Sequence, residues 1–413
     1  MPIDIEAVNA QIAFDPLNRR ASAAASVVFT VGADAGCPVL DLRQPVGAAT
    51  LDGSSLPVDA LAHHDLDGGV GAEMRVLGRS LAAGSRHEMQ LRYQLATPAA
   101  TDAQPVGWDD ERAAVRFDFW MSDLHPGRYL EMWLPANLCH DRFALTVDLT
   151  VATDVPHTVV TNGEVQELSA GRWRISYPDH FTSLSPMLVV APSADLTIRS
   201  RPVRLAGRSK PVELVTAAPS DAETDLAASE ADIASWLAGN AERYGSWAHG
   251  DRFTAFIWTA RRGMEYDGAT TASVGSLEHE VFHSWFGRGV KPARASDGWI
   301  DEAWTSWATS SRSSEEGRFA EIELGLDEEP VLLYPPHPWS RYTPTESYRQ
   351  GARLFAGIAH VLGGPHHLRE AMATWYQANV GDLITTNGLE KHLSEWSGND
   401  VGPWFKRYVH GQG

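Results

Sequence analysis

His279-Glu280-Val281-Phe282-His283 places two imidazoles four positions apart, and Glu302, in Trp299-Ile300-Asp301-Glu302, follows His283 by nineteen positions. On a helix, residues at i and i+4 share one face about one turn apart. Both histidines can therefore reach a single Zn²⁺, while Glu280 is directed toward the water such an ion holds. A catalytic zinc site takes three protein ligands and keeps one position open. Glu302, on a second helical segment, offers itself as the third ligand. One zinc ion per chain is the expectation.

Two histidines at this spacing can also be solvent-facing residues of an ordinary amphipathic helix. Two further features separate the readings. An acidic residue stands at a suitable distance in a second helical segment, and His283-Ser284-Trp285-Phe286-Gly287 continues the first segment with bulky aromatics. Other motifs carry less. His63-His64 and His366-His367 lack metal-ligand spacing and read as surface or helix-end pairs. There is no Walker loop and no G-x-G-x-x-G after a strand.

The bulk properties set the frame. At 413 residues the chain is long enough for two domains, each with its own core. With 43% hydrophobic and 21% charged residues it has an ordinary globular composition. A formal net charge of -19 disfavours nucleic acid and anionic membrane as partners. No stretch approaches the roughly 18–20 apolar residues of a membrane span. Met1-Pro2-Ile3-Asp4-Ile5-Glu6 has no basic segment or apolar run, so it does not read as a secretory signal, and a cytoplasmic location is expected by default. Cys37 and Cys139 are far apart and near no metal-ligand spacing; two buried thiols are expected rather than a disulfide.

Residues 1–195 read as β-rich. Ala25 to Val31, His87 to Leu95, Ala114 to Trp120 and Phe143 to Val151 have strand character, separated by turn-formers such as Asp52-Gly53 and Asp67-Gly68-Gly69. Asn162-Gly163 predicts a hairpin. The pattern implies a sandwich or saddle-shaped sheet. Beyond Ala191-Pro192-Ser193-Ala194-Asp195 the period changes, and residues 196–413 read as mainly helical with a small sheet near their start. Leu226, Ile233, Leu237 and Tyr244 form one helical stripe, and Thr254 to Trp258 reads as a buried strand. Leu277 to Phe286 is the expected metal helix and Trp299 to about Thr309 the second. Tyr348 to Leu362 is a helix stopped by Gly363-Gly364-Pro365. Asn387, with Glu390 three residues on, predicts an N-cap for a helix whose buried stripe is Leu389, Leu393 and Trp396. From about Glu315 to Thr345 runs a Pro-rich, aromatic loop, which reads equally as a pocket wall or lid and as a merely mobile segment. The tryptophans of the second half read as packing for core and cleft.

The stretch His279 to Gly287, continuing through Val290, Pro292 and Trp299-Ile300-Asp301-Glu302-Ala303, resembles the gluzincin aminopeptidases, the aminopeptidase N and leukotriene hydrolase group. Gly263-Met264-Glu265-Tyr266 resembles that family's G-x-M-E-N strand, and Tyr348-Arg349-Gln350-Gly351-Ala352 its Y-x-K-G-A segment. The resemblance implies a multidomain α+β fold in which a β-rich N-terminal domain precedes a thermolysin-like, mainly helical catalytic domain. It also implies roles. Glu280 would be the general base, Tyr348 would stabilise the tetrahedral intermediate, and Glu265, with Gly263 and Met264 beside it, would hold the substrate's free α-amine. Departures accompany it. Tyr266 stands for Asn, Gln350 stands for Lys, and Glu265 lies only fourteen positions before His279. In His125-Pro126-Gly127-Arg128-Tyr129-Leu130-Glu131, Glu131 is the nearest acidic candidate for a further substrate contact.

The resulting expectation is a zinc aminopeptidase acting on peptides or small amides. The chain stops about where the family's catalytic domain ends, so an open cleft is expected unless a second subunit or the Glu315–Thr345 loop covers it. Two alternatives stand beside this reading. One is an endopeptidase or a pathway-specific amide, ester or epoxide hydrolase; the other is a non-catalytic peptide-binding protein.

Overall fold

The computed structural model describes residues 3–65, 73–96, 105–124, 129–137, 141–259, 263–310, 329–335 and 343–413. Cys139, the Asp67-Gly68-Gly69 turn, His125 to Arg128 and most of the Pro-rich 315–345 loop lie outside the described residues. Two compact units emerge: Met1–Thr197 with Ala217–Asp221, and Ile198–Thr216 with Ala222–Gly413.

The first unit is built on two long strands, Ile3–Asp15 and Arg20–Val31, paired antiparallel through the short turn Pro16–Asn18. Buried side chains alternate with exposed ones along the first and with half-buried ones along the second, which is what a strand's period of two produces when one face meets a core. They lie at the centre of an eight-stranded sheet. Ala144–Val151 joins Ile3–Asp15 in parallel, and Arg86–Gln94 flanks Arg20–Val31 on the other side. Facing this sheet is a four-stranded one containing Leu188–Pro192, buried along its whole length. Phe14 of the large sheet packs 4.9 Å from Phe117 of the smaller, and Phe117 lies edge-on to the fully buried Trp133 at 5.1 Å. A sandwich core results, one of the two forms the strand pattern implies. Asp52-Gly53, expected as a turn, closes a tight hairpin, both residues at positive φ (50° and 77°) between strands that pair across them.

Asn162-Gly163 does not. His157–Thr161 pairs with Leu188–Pro192 in the small sheet, whereas Glu164–Ser169 pairs with Arg172–Ser176 in the large one. The dipeptide is therefore a corner between sheets. The Asn162 amide donates to Ser185 O and accepts from Met187 N, both at 2.8 Å, so it is held by a neighbouring segment rather than by a turn of its own. Gly163 is there for space: a β-carbon would sit 2.8 Å from Ile175 Cγ2.

The second unit carries a five-stranded sheet and the described helices. In that sheet Arg252–Trp258 runs parallel to Ala269–Ser273, and the short antiparallel strand Gly263–Tyr266 forms the edge. Leu226–Tyr244 buries the predicted stripe Leu226, Ile233, Leu237 and Tyr244. Aromatic side chains fill the space between the helices. Phe286 lies 5.4 Å from Tyr244, 5.7 Å from Trp304 and 5.5 Å from Tyr376. Trp285, Trp299, Trp304 and Trp307 are wholly buried.

Two boundaries differ from expectation. The metal helix spans Leu277–Phe282 rather than reaching Phe286. After His283 the chain tightens into i→i+3 bonds, Ser284 N to Val281 O and Trp285 N to Phe282 O, and then turns at Gly287 (φ 111°). In the Thr386–Ser397 helix the cap is Thr385, whose Oγ1 accepts from Gly388 N at 3.0 Å, so Asn387 falls inside the first turn. Leu389 and Leu393 are buried there as expected, and Trp396 is half-buried. The Glu346–Val361 helix stops where predicted, with Gly363 and Gly364 both at positive φ. Among the described residues, no helix is long and apolar enough to cross a membrane.

Candidate metal centre

The helix Leu277–Phe282 presents His279, and His283, its C-cap, keeps helical backbone angles (φ -56°, ψ -17°). The i, i+4 relation therefore survives the early end of the helix. His279 Nε2 and His283 Nε2 approach to 3.1 Å. Glu302, in the first turn of Trp299–Ser310, brings Oε2 to 3.1 Å from His279 Nε2 and 3.5 Å from His283 Nε2. Donors held 2.0–2.1 Å from one tetrahedral ion lie roughly 3.3–3.4 Å apart. Three donors at these separations, two imidazole nitrogens and a carboxylate oxygen, fit a zinc ion.

The supports around the donors agree with that fit. His283 Nδ1 lies 3.0 Å from Phe286 O and 3.3 Å from Thr305 Oγ1; donation to the carbonyl leaves Nε2 as the lone-pair nitrogen. Glu302 Oε1 accepts from the Tyr348 hydroxyl at 2.7 Å, and the Tyr348 ring stacks on His279 with centroids 6.1 Å apart. That placement depends on close helix packing, because a β-carbon at Gly351 would overlap Ala303.

The field here suits a cation. Burial alone would raise the Glu302 carboxyl, but His283 and His279 outweigh it and hold it well below the usual carboxylate range. For His283, burial works against the charged form; Glu265, Glu302 and Asp301 nevertheless push its pKa well above the ordinary imidazole value. His279 moves down, chiefly through burial.

Glu280 is buried and lies against the edge strand: a β-carbon on Gly263 would overlap its Oε1. Gly263 is thus needed for the approach of the Glu280 carboxylate. Met264 and Tyr266 are buried in the same strand. Glu265, between them, is gripped by Arg288, whose Nη2 donates to Oε1 at 2.9 Å; the two side chains are 1% and 3% exposed. One donor atom each from Glu265, Glu280 and His283 falls within a 4.8 Å cluster, so the edge strand and the histidine helix meet at one place. Glu131 belongs to the first unit, buried in the turn Leu130–Met132.

Three residues of this neighbourhood escaped the sequence reading: Thr305, Asp301 and Arg288. Thr305 could have been found, since it lies three positions after Glu302 on the same helix face. Arg288 offered no periodic signal, and its partner lies twenty-three residues away.

No family model matches the chain, and no curated protein matches it. Solved structures do. An M1 zinc metallopeptidase from Deinococcus radiodurans superposes with a TM-score of 0.69 at 18% identity, over 100% of this chain and 94% of that one. A mutant form of that enzyme bound to a Tyr-Ser-Ala substrate gives 0.69 at 17%, over 100% of this chain and 95% of that one. Legionella pneumophila aminopeptidase A, in complex with aspartic acid, gives 0.72 at 12%, over 99% of this chain and 50% of that one. The chain has the M1 zinc metallopeptidase fold. In this M1 fold the β-rich N-terminal part comes first and the helices later, and the histidine helix, the Glu302 helix and the Glu265 strand all belong to the second unit.

Proposed function

We propose that this chain is a zinc-dependent aminopeptidase. Residues 196–413 would form its thermolysin-like catalytic domain, and residues 1–195 the β-rich domain before it. One observation carries the reading: the His279, His283 and Glu302 donors converge on one point, with the Glu280 carboxylate and the Glu265 strand beside them. Zinc, held by those three residues, would supply a Lewis acid that acidifies water to a pKa near 7 and polarises a carbonyl.

The chain's own groups account for the rest. Glu280, fixed against Gly263, takes a proton from the attacking water and returns it to the leaving amine. Tyr348, its hydroxyl held by Glu302 and its ring by His279, can swing that O–H toward an oxygen on which negative charge develops. Glu265, on the edge strand, pairs with the ammonium of a peptide's N-terminus, and this charge-assisted contact sets cleavage one residue in.

Metal analysis of purified protein should find about one zinc per chain. A panel of aminoacyl anilides, free and N-acetylated, then tests the substrate assignment: strong preference for the free amine is the expected result. Equal turnover of both forms would remove Glu265 from its role. That outcome would favour the second reading, an endopeptidase or a hydrolase of one dedicated amide, ester or epoxide. The ion pair with Arg288, which offsets part of the charge an ammonium would meet, lends that alternative its support.

A further inference from the structure

Arg288 sits in a place that neither the zinc site nor the chemistry assigned to it requires. Its backbone N–H donates to the carbonyl of His283 at 3.0 Å. Its side chain reaches the edge strand, where Nη2 donates to Glu265 Oε1 at 2.9 Å and Nε approaches Glu265 O at 3.3 Å. Nη1 donates to Gly287 O at 2.8 Å, so the guanidinium is anchored at its own end as well. One residue thus joins a metal-centre histidine to the carboxylate expected to meet the substrate amine.

A second contact repeats the arrangement. Lys291 Nζ lies 2.6 Å from Asp267 Oδ2, and both side chains are almost wholly buried at 7% and 2% exposure. Glu265 and Asp267 are two apart along the strand and its turn; Arg288 and Lys291 are three apart on the segment leaving the histidine helix. Two buried ion pairs therefore tie the same two stretches of chain together. Buried charges are costly to desolvate, and pairs of this kind contribute geometric definition more reliably than net stability.

We infer that Arg288 is a positioning residue, with Lys291 as its second rung, which fixes Glu265 at a set distance from the metal centre and so sets the aminopeptidase register. The inference rests on the aminopeptidase reading above. A single N–H donor does not by itself compete a carboxylate out of that role, since a carboxylate has about four acceptor sites. What it removes is the freedom of the carboxylate to turn away. An ammonium then meets an oxygen already in place, and the ordering cost of binding falls.

The test uses the full-length, zinc-loaded protein with free and N-acetylated aminoacyl anilides, and measures KM, kcat, zinc content and thermal midpoint for each variant. R288Q should raise KM for free-amine substrates by about tenfold or more while kcat stays within about threefold, the pattern of lost ground-state binding. KM for acetylated substrates and zinc content should stay at wild-type values. R288K, which keeps the charge but loses the fork, should fall between. Glu265→Gln should by itself abolish the free-amine preference, and adding R288Q to it should change KM by less than about twofold, because a residue acting through Glu265 has nothing left to act on.

Equal rises for free and acetylated substrates, loss of zinc in R288Q, or multiplicative effects of the two substitutions would each overturn the inference. If Glu265→Gln abolishes the preference while R288Q leaves it intact, the inference falls and the aminopeptidase reading stands. If Glu265→Gln leaves the preference intact, both fall. Should R288Q not fold, R288K and the charge-neutral double variant E265Q/R288Q decide the matter, since removing both partners of a buried pair is tolerated better than removing one.

Discussion

The two units of this chain differ in where their buried ion pairs gather. In the N-terminal unit, Arg19–Asp110, Arg86–Glu6 and Arg174–Asp148 pair at the surface, with arginine side chains 58%, 65% and 49% exposed. Asp41, buried beside Arg43, is an exception there. In the C-terminal unit, Glu265 with Arg288, Asp267 with Lys291 and Glu302 with its two histidines are largely buried. Surface pairs are screened and lose side-chain entropy on forming, so they add little. Buried ones leave an uncompensated charge when one partner goes, so substitutions there have large effects. Ionic interactions in the first unit are mostly a soluble coat on a sandwich held by apolar packing. The second also has surface pairs such as Arg252–Glu213 and Lys391–Glu395, but its buried pairs gather around the histidine helix and the Glu265 strand.

The largest expected effect lies at Glu280. Glu280→Gln should keep about one zinc per chain and lose hydrolysis by roughly 10²–10⁴-fold, the usual range for a general base. Metal analysis beside a rate assay checks it, and full activity in that variant, or in chelator-treated protein, would sink the mechanism. The contrast in charge placement comes next. Arg288→Ala strands Glu265 in the interior and should cost about 3–5 kcal/mol in urea unfolding. Arg174→Ala, at the surface of the other unit, should leave the unfolding midpoint unchanged within error. Similar midpoint shifts for both would break the comparison.

Tyr348→Phe is expected to lower kcat by about 10²-fold, the scale for one hydrogen-bond donor at a developing charge, with smaller change in KM. A change confined to KM would mean that the hydroxyl serves only to orient Glu302. The smallest effect concerns Asp141 in the first unit. Burial pushes its carboxyl up to about 6, even though the Ile5 N–H donates to Oδ2 at 3.1 Å. A raised folded pKa means that the native state binds more protons than the unfolded chain between about pH 4 and pH 6. The stability from this group is present below that window and is lost as pH rises through it. Solvent screening of this part-exposed group limits the change to about 1–2 kcal/mol. Asp141→Asn should flatten stability against pH between 4 and 6, and an unaltered slope would show that another group is responsible.

Much of the candidate site was legible in the chain because its parts are local. His279 and His283 share a helical turn, and Gly363-Gly364-Pro365 stops a helix wherever it occurs. The alternation in Arg86–Gln94 and Ala144–Val151 likewise reports a half-buried strand without reference to neighbours. What failed was non-local. Asn162-Gly163 has hairpin chemistry, yet the strands beside it found partners in different sheets. The metal helix ended early because of the turn at Gly287, which brings Arg288 N to His283 O. Asn387 lost the cap to Thr385, two residues before it, where a hydroxyl met the Gly388 N–H.

By itself, then, the sequence determined which residue types could gather around an ion, since i, i+4 geometry is a property of any helix. It also determined that a β-rich part comes first and helices later, since period follows from backbone geometry. Tertiary structure alone decided that Glu280 lies against Gly263, that Tyr348 rests on Glu302, and that Glu265 is held by Arg288. Each of these joins segments from different elements, and only the packing of sheet edge against helix brings their atoms within reach.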